Sequence, residues 1–141
     1  MMDGLYNTDV LGLAANIQHV GRLETPQASS RKVSKLCGSW VEIDVVVIQK
    51  KIIGFAIRLQ ACALGQASAA ILAEHAMGAH YSEIKQARDD LHKMLKQGGK
   101  PPSGRFKKLA VLADVANYPA RHTSTMLAFD ACVEAMERAS A

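Results

Sequence analysis

Two cysteines that border predicted strands are the residues of this sequence best suited to chemistry. Cys37 precedes Gly38 at a corner between two strands, where glycine lets another group approach the backbone closely. Cys62 stands where a strand gives way to a helix, whose exposed N–H groups would favour a thiolate. Because the thiolate is the form of cysteine that attacks electrophiles and binds metals, both residues are candidates for nucleophilic or metal-binding chemistry.

The placement of Cys37 and Cys62 predicts that the two side chains meet. Adjacent paired strands bring their same-side ends together, so these thiols can face each other at one edge of a sheet and chelate a metal. The alternative is that both pack as small core side chains, which is where free cysteine is usually found. Cys132 lies in the last predicted helix among alanines, and we assign it to packing.

Strand patterns surround both cysteines. Residues 33–36 are a short candidate strand, and residues 40–48 alternate between apolar residues on one face and acidic residues on the other. Residues 52–60 resume the alternation after a polar break at 49–51, which predicts an antiparallel hairpin.

Helical periodicity covers most of the remaining chain. Residues 22–30 are the exception, because they have no periodicity and are expected to be an exposed connector. The order of elements predicts an α+β fold, a small antiparallel three-stranded sheet covered on one face by four to five helices. At 141 residues we expect one domain over residues 1–141. The predicted helices span residues 5–20, 63–76, 82–97, 105–115 and 123–139.

Composition excludes several classes of protein. With 49% hydrophobic and 21% charged residues the chain is expected to fold, and charged residues interrupt every run long enough to cross a membrane. Its start has no basic targeting segment, so we expect a cytoplasmic protein whose three cysteines are not a disulfide framework. The net charge of +4 is dispersed and aromatic residues are 5%, which favours solvated faces over a nucleic-acid groove.

Both cysteines also lie in motifs that resemble those of the NifU-like and IscU-like family of iron–sulfur cluster assembly scaffolds. Residues 36–39, Leu-Cys-Gly-Ser, are similar to the Cys-Gly-Asp motif of the family, and residues 61–69 to its Cys-x-x-x-x-Ala-Ser-Ser run. Residues 16–21 resemble an Asn-Pro-x-Asn-x-Gly stretch without its proline. Residues 96–117 resemble the insertion of the SufU-type branch, which is the closer relative, and the resemblance runs along most of the chain.

The resemblance implies a scaffold that holds an iron–sulfur cluster, for example 2Fe–2S, or iron, with zinc as the alternative, and that works with a cysteine desulfurase. Ser124 stands where the family has a third cysteine, and Ser39 stands where it has an aspartate. Cys37 and Cys62 therefore supply two of the four donors that a cluster or tetrahedral zinc wants. The site could be completed by His122 with water, by Ser124 or Ser39, by a second copy of the chain in a homodimer, or by a partner protein. His122 could equally be a surface or cap-region imidazole.

We therefore favour a non-enzymatic scaffold or sulfur acceptor that uses Cys37 and Cys62. The alternative is a degenerate family member that acts as a binding or regulatory module on the assembly machinery. A nucleic-acid binder has little support in the charge pattern. A self-contained enzyme is disfavoured because no nucleophile, base and orienting residue share a recognisable spacing.

Overall fold

The structure is a computed structural model and describes residues 5–140. A three-stranded sheet is followed by a layer of helices, as the order of sequence patterns predicts. Two stretches between α3 and α4, Gly104–Asn117 and Pro119–Arg121, wind as 3₁₀ helices. The regular elements are α1 Thr8–Ala14, β1 Ala28–Val33, β2 Trp40–Ile48, β3 Lys51–Gln60, α2 Ala63–His75, α3 Tyr81–Gln97 and α4 His122–Ala139.

The sheet is antiparallel with β2 in the centre, in the order β1-β2-β3. Gln49 and Lys50 form the turn between β2 and β3 with φ values of 51° and 64°. Positive φ at both central residues matches the twist of a two-residue hairpin and fixes the strand register. A bulge between Val46 and Val47 shifts this register by one residue, so that Trp40 pairs with Gln60 at the far end and the start of β2 lies beside the end of β3.

One face of the sheet packs on the helices and forms a continuous core. Val41, Ile43 and Val45 of β2 are fully buried on this face, as the period-two pattern predicts. Helix α4 packs against β1 and β2, and α2 and α3 flank it. Because α2 consists largely of alanine and other small residues, it is buried on almost every side. The fold class predicted from the sequence is confirmed.

The other face of the sheet carries a buried ion pair. Asp44 is 2% exposed, and its Oδ1 atom lies 2.9 Å from Nη2 of Arg58. The Ser29 hydroxyl and the Leu23 backbone N–H also donate to the Asp44 carboxylate. Burial alone would raise the pKa of Asp44, but these hydrogen bonds outweigh it and lower the pKa to about 2. The network joins all three strands to the segment before β1.

Two elements differ from the sequence prediction. Strand β1 is Ala28–Val33, whereas the predicted strand at 33–36 lies mostly in the following turn and the predicted connector at 22–30 contains the start of β1. Helix α1 ends at Ala14, so Gly21 does not terminate it. Val20 instead bridges to Ile57 on the outer edge of β3. The remaining helices and strands lie within about two residues of the predicted bounds, the usual uncertainty of assigned helix ends.

The stretch compared above to the SufU-type insertion begins within the last turn of α3. Its 3₁₀ part, Gly104–Asn117, packs on α2 and α3 and is anchored by Phe106, whose ring meets Phe129 edge to face at 5.4 Å. Between residues 5 and 140, no helix combines the length and apolar composition needed to cross a membrane.

Candidate functional site

Cys37 lies on the turn that joins β1 to β2. The backbone N–H of Ser34 donates to the carbonyl of Ser39 at 2.8 Å, and Gly38 adopts a φ of 71°, which glycine reaches without strain. This geometry exposes the Cys37 side chain. Its Sγ atom lies 3.5 Å from the Ser34 hydroxyl and 3.0 Å from the Ser39 hydroxyl.

The neighbours of Cys37 favour its thiolate. Hydrogen bonding with the hydroxyl of Ser34, and then with that of Ser39, lowers the pKa of Cys37 below its ordinary value, and the positive charge of Arg121 lowers it further. Burial opposes the shift only in part, because the side chain is exposed. Cys37 is therefore an accessible thiol with raised nucleophilic and metal-binding capacity.

Cys62 lies two residues after the end of β3 and is the N-cap residue of α2. Its backbone is extended, with φ −67° and ψ 169°, and its side chain makes no capping hydrogen bond, which leaves the sulfur free to face outward. The Cys62 Sγ atom lies 3.6 Å from the hydroxyl of Ser124 in the first turn of α4. The starts of α2 and α4 thus lie next to each other at this sulfur.

The two cysteines line one surface cleft of about 350 Å³. Antiparallel pairing of β2 with β3 explains this, because Cys37 precedes the start of β2 and Cys62 follows the end of β3. Among the described residues that line the cleft there is no carboxylate, and Arg121 is the one basic side chain. Its lining residues are Cys37, Gly38, Ser39, Gln60, Ala61, Cys62 and Arg121.

The two serines at the site occupy different positions. Ser39 is 4% exposed and lines the cleft beside Cys37. Ser124 is 1% exposed and lies behind Cys62, where its hydroxyl donates to the backbone carbonyl of Arg121 at 3.2 Å. Each serine therefore contacts one of the two sulfurs, and neither bridges both.

His122 lies away from the cleft. Its ring is buried, and Nε2 lies 3.0 Å from the backbone carbonyl of Val115, to which it donates a hydrogen bond. This contact ties the 3₁₀ segment to the first turn of α4. The placement argues against His122 as a ligand in this cleft, because His122 is not among the residues that line it. We leave His122 out of the proposed site.

Arg121 is a candidate functional residue that the sequence analysis did not identify. It is the N-cap residue of α4, its side chain lines the cleft, and within residues 5–140 its guanidinium forms no hydrogen bond or ion pair. The signal in the sequence is its position directly before His122, in the segment that resembles the family's third cysteine motif.

The donor set is incomplete for a metal in one copy of the chain. No group of three or more histidine, cysteine or acidic side chains is arranged to hold a metal in the described part of the chain. Cys37 and Cys62 are the two thiols available at the surface, because Cys132 is fully buried in α4 and burial raises its pKa to about 12. The packing role predicted for Cys132 agrees with this burial.

Comparisons with known proteins agree with this fold. Residues 5–125 match the NifU-like N-terminal domain family. The crystal structure of a nitrogen-fixing NifU-like protein (N-terminal) from Brucella abortus is 38% identical, with a TM-score of 0.97 over 99% of this chain and 96% of that one. A putative iron–sulfur cluster assembly scaffold protein for the SUF system from Fervidobacterium islandicum shares the fold at 20% identity, with a TM-score of 0.85 over 94% and 96% of the two chains.

A curated relative also indicates the iron–sulfur cluster scaffold family. The iron–sulfur cluster assembly scaffold protein IscU of Thermotoga maritima is 26% identical over 141 residues, which cover 96% of this chain and 95% of that protein. The family match covers residues 5–125, and this relative aligns over nearly the whole chain. The resemblance is therefore not limited to the two cysteine motifs. The chain belongs to the NifU-like N-terminal domain family, the family of iron–sulfur cluster assembly scaffolds.

Proposed function

We propose that this protein receives sulfur at Cys37 and holds iron or a nascent 2Fe–2S cluster between Cys37 and Cys62. The observation that carries the proposal is the single cleft lined by both thiols, one of them exposed and with a lowered pKa. A carrier must release its cargo, and an open cleft permits both loading and release. Zinc is the alternative cargo, since it prefers the same thiolate ligands.

The sulfur donor is proposed to be a cysteine desulfurase that carries a persulfide. The Cys37 thiolate attacks the outer sulfur of this persulfide and forms a new S–S bond to it. The bond between the outer sulfur and the donor cysteine breaks, and the donor leaves as a thiolate with the bonding electron pair. The transfer needs no other oxidant or reductant, so the scaffold need not be an enzyme itself. It does require reduced thiols, as in the cytoplasm.

Completion of the ligand set is proposed to come from a second copy of the chain. Two copies related by a two-fold axis would offer four thiolates, which iron and zinc both prefer to hydroxyl oxygen. Ser39 and Ser124 each lie beside one of the sulfurs and are the donors that a single chain could add. Their neutral hydroxyls are weaker ligands than thiolates or carboxylates.

Anaerobic reconstitution tests this function. Purified protein is incubated with ferrous iron, L-cysteine and a cysteine desulfurase, and iron, acid-labile sulfide and the absorption spectrum are measured. We expect a cluster spectrum that is lost in Cys37→Ser and in Cys62→Ser. The matched control is Cys132→Ala, because Cys132 is buried outside the cleft. A cluster yield that is equal in all four proteins would refute the role of the cleft.

A binding or regulatory module on the assembly machinery is the second candidate function. It is favoured by the absence of a three-ligand group among residues 5–140. A pull-down with the Cys37→Ser, Cys62→Ser double variant separates the two functions. Recovery of a desulfurase equal to that of the wild type, together with no metal or sulfur on the wild-type protein, would establish the second function in place of the first.

A further inference from the structure

The charge in the cleft has the opposite sign to that of a metal-ion site. Arg121 is its one charged side chain, and no carboxylate lies among the lining residues. Four arginines of the described residues pair with acidic groups, among them Arg58 with Asp44 and Arg105 with Glu83. The Arg121 guanidinium has no such partner in the described part of the chain, so its charge is available to a ligand in the cleft.

Two helix starts add to this positive charge. Helix α2 begins directly after Cys62 and has no side-chain cap, and α4 begins directly after Arg121. The two starts are close, because a Cβ atom placed on Gly65 in the first turn of α2 would lie 3.1 Å from the carbonyl oxygen of Ser124. The positive ends of both helix dipoles therefore lie beside the cleft, which favours an anion there.

We propose that the empty cleft is selective for anionic sulfur and that Arg121 determines this selectivity. This inference rests on the function proposed above. It specifies the order in which the cleft is loaded, with sulfur bound before the metal. A perthiolate entering the cleft is attracted by the guanidinium, whereas a free divalent cation is repelled by it. Sulfur bound at Cys37 extends the negative charge of this residue farther into the cleft and adds a sulfur donor, and the loaded cleft can then accept a cation.

The reactivity of Cys37 toward two alkylating reagents tests the selectivity directly. Iodoacetate is anionic and iodoacetamide is neutral, and both react with the same thiolate, so the ratio of their rates is independent of the fraction of Cys37 ionised. The rates are measured by intact mass on metal-free Cys62→Ser protein, in which Cys132 is buried and Cys37 is the thiol exposed in the cleft. We expect Arg121→Gln to lower the ratio of iodoacetate to iodoacetamide rates about fivefold at low salt, the effect of one nearby charge in water.

Matched variants separate charge from structure. Lys35→Gln removes a positive charge from the same turn as Cys37 but outside the cleft lining, and it should leave the ratio unchanged. Arg121→Lys keeps the charge and should keep most of the ratio. The inference is overturned if Arg121→Gln leaves the ratio unchanged, if Lys35→Gln lowers it equally, or if Arg121→Lys loses it as completely as Arg121→Gln does.

Sulfur and zinc loading of the full chain then test the order. Persulfide is supplied either on a desulfurase or as glutathione persulfide, and zinc affinity is measured by competition with a chelator. Arg121→Gln should slow sulfur acceptance from both donors and tighten zinc binding. A slower transfer from the desulfurase alone, or weaker zinc binding, overturns the inference. If the wild-type protein accepts no sulfur, the proposed function fails, and the reagent ratio still decides the role of Arg121.

Discussion

The acidity of Cys37 arises mainly from two neighbouring hydroxyls. Ser34 and Ser39 lie within hydrogen-bonding distance of its sulfur, and both are held in place by the backbone hydrogen bonds of the turn. A serine at position 39 cannot offer the negative oxygen of an aspartate to a metal. It can stabilise a thiolate, so this replacement favours nucleophilic chemistry at Cys37 over tight metal binding.

Replacement of Ser39 by alanine should raise the pKa of Cys37. The variant removes a hydrogen bond that favours the thiolate and leaves the backbone turn intact. The pH profile of Cys37 alkylation by iodoacetamide, measured in Cys62→Ser protein, should therefore move to higher pH. Ser103→Ala, at an exposed position with no cap hydrogen bond, should leave the profile unchanged. A profile that stays in place in Ser39→Ala would show that Ser39 does not stabilise the thiolate.

The sequence was sufficient to predict the cysteine pair but not its charged neighbour. Cys37 and Cys62 flank strands whose alternating patterns are strong, and antiparallel pairing then requires their ends to meet. Arg121 comes from a third chain segment, and its approach depends on how α4 packs on the sheet, which no local pattern encodes. The position of His122 depends on the same packing, since the direction of its side chain is set by the contact with Val115 and it does not line the cleft.

At the scale of elements, the site depends on the close approach of α2 and α4. Gly65 allows this approach, because an added Cβ atom would lie 3.0 Å from Cβ of Ala61 and 3.1 Å from the carbonyl oxygen of Ser124. The same approach sets the 3.6 Å contact between Cys62 and Ser124. Gly65 is thus a structural requirement of the cleft although it does not line it.

Gly65→Ala should therefore be destabilising despite the higher helix propensity of alanine. We expect the free energy of unfolding to fall by about 1–2 kcal/mol, since backbone atoms of α4 would have to move. Gly12→Ala is the control, because the added Cβ atom meets nothing within 4 Å in α1. It should raise the free energy of unfolding by about 0.5–1 kcal/mol. Urea denaturation measures both, and a stabilised Gly65→Ala would contradict the close approach of the helices.

The Asp44–Arg58 pair should make stability depend on pH in the acid range. Because the pKa of Asp44 is lowered to about 2 in the fold, against about 3.9 when unfolded, folding favours the ionised carboxyl. Its contribution is present above about pH 4 and is lost as pH falls toward about 2. Asp44→Asn should remove this dependence and cost about 1–3 kcal/mol at neutral pH, because the buried carboxylate that accepts from Arg58 is lost while Arg58 keeps its ion pair with Glu42.

Urea denaturation between pH 2 and pH 7 checks this expectation. Asp114→Asn is the control, because Asp114 is exposed on the 3₁₀ segment. It should unfold like the wild type at every pH. If Asp44→Asn retained the full acid sensitivity of the wild type, the Asp44–Arg58 network would not be the source of that sensitivity.

The same network explains why the sequence pattern predicts the first strand at residues 33–36 and not at β1. Strand β1 reads Ala-Ser-Ser-Arg-Lys-Val, with too few apolar residues to give a period-two pattern. It forms because its backbone pairs with β2, and two of its polar side chains bond to groups outside the strand. Ser29 donates to Asp44, and Lys32 pairs with Glu134 of α4. The sequence predicts the bounds of β2 and β3 to within one residue, because the side chains of these strands themselves alternate between the two faces of the sheet.

At the scale of the whole molecule, the cleft presents half of a thiolate ligand set at the surface. Two sulfurs and two hydroxyls in one chain do not match the preference of zinc or iron for four strong donors. Association of two copies through the cleft would satisfy it, and the metal would then be shared. We therefore expect the oligomeric state of the metal-loaded protein to depend on the identity of residue 124.

Replacement of Ser124 by cysteine should convert a shared site into a site within one chain. The wild type is expected to bind one zinc ion per two chains and to elute as a dimer when loaded. Ser124→Cys places a third thiolate beside Cys62, so it should bind one zinc ion per monomer, at least about tenfold more tightly. Thr123→Cys is the matched control, because residue 123 is exposed and lines a different cleft, between α3 and α4. Size-exclusion chromatography with zinc analysis, under reducing conditions, distinguishes the two states. A wild-type protein that stays monomeric with one tightly bound zinc ion would show that Cys37 and Cys62, with Ser39 or Ser124, suffice within one chain.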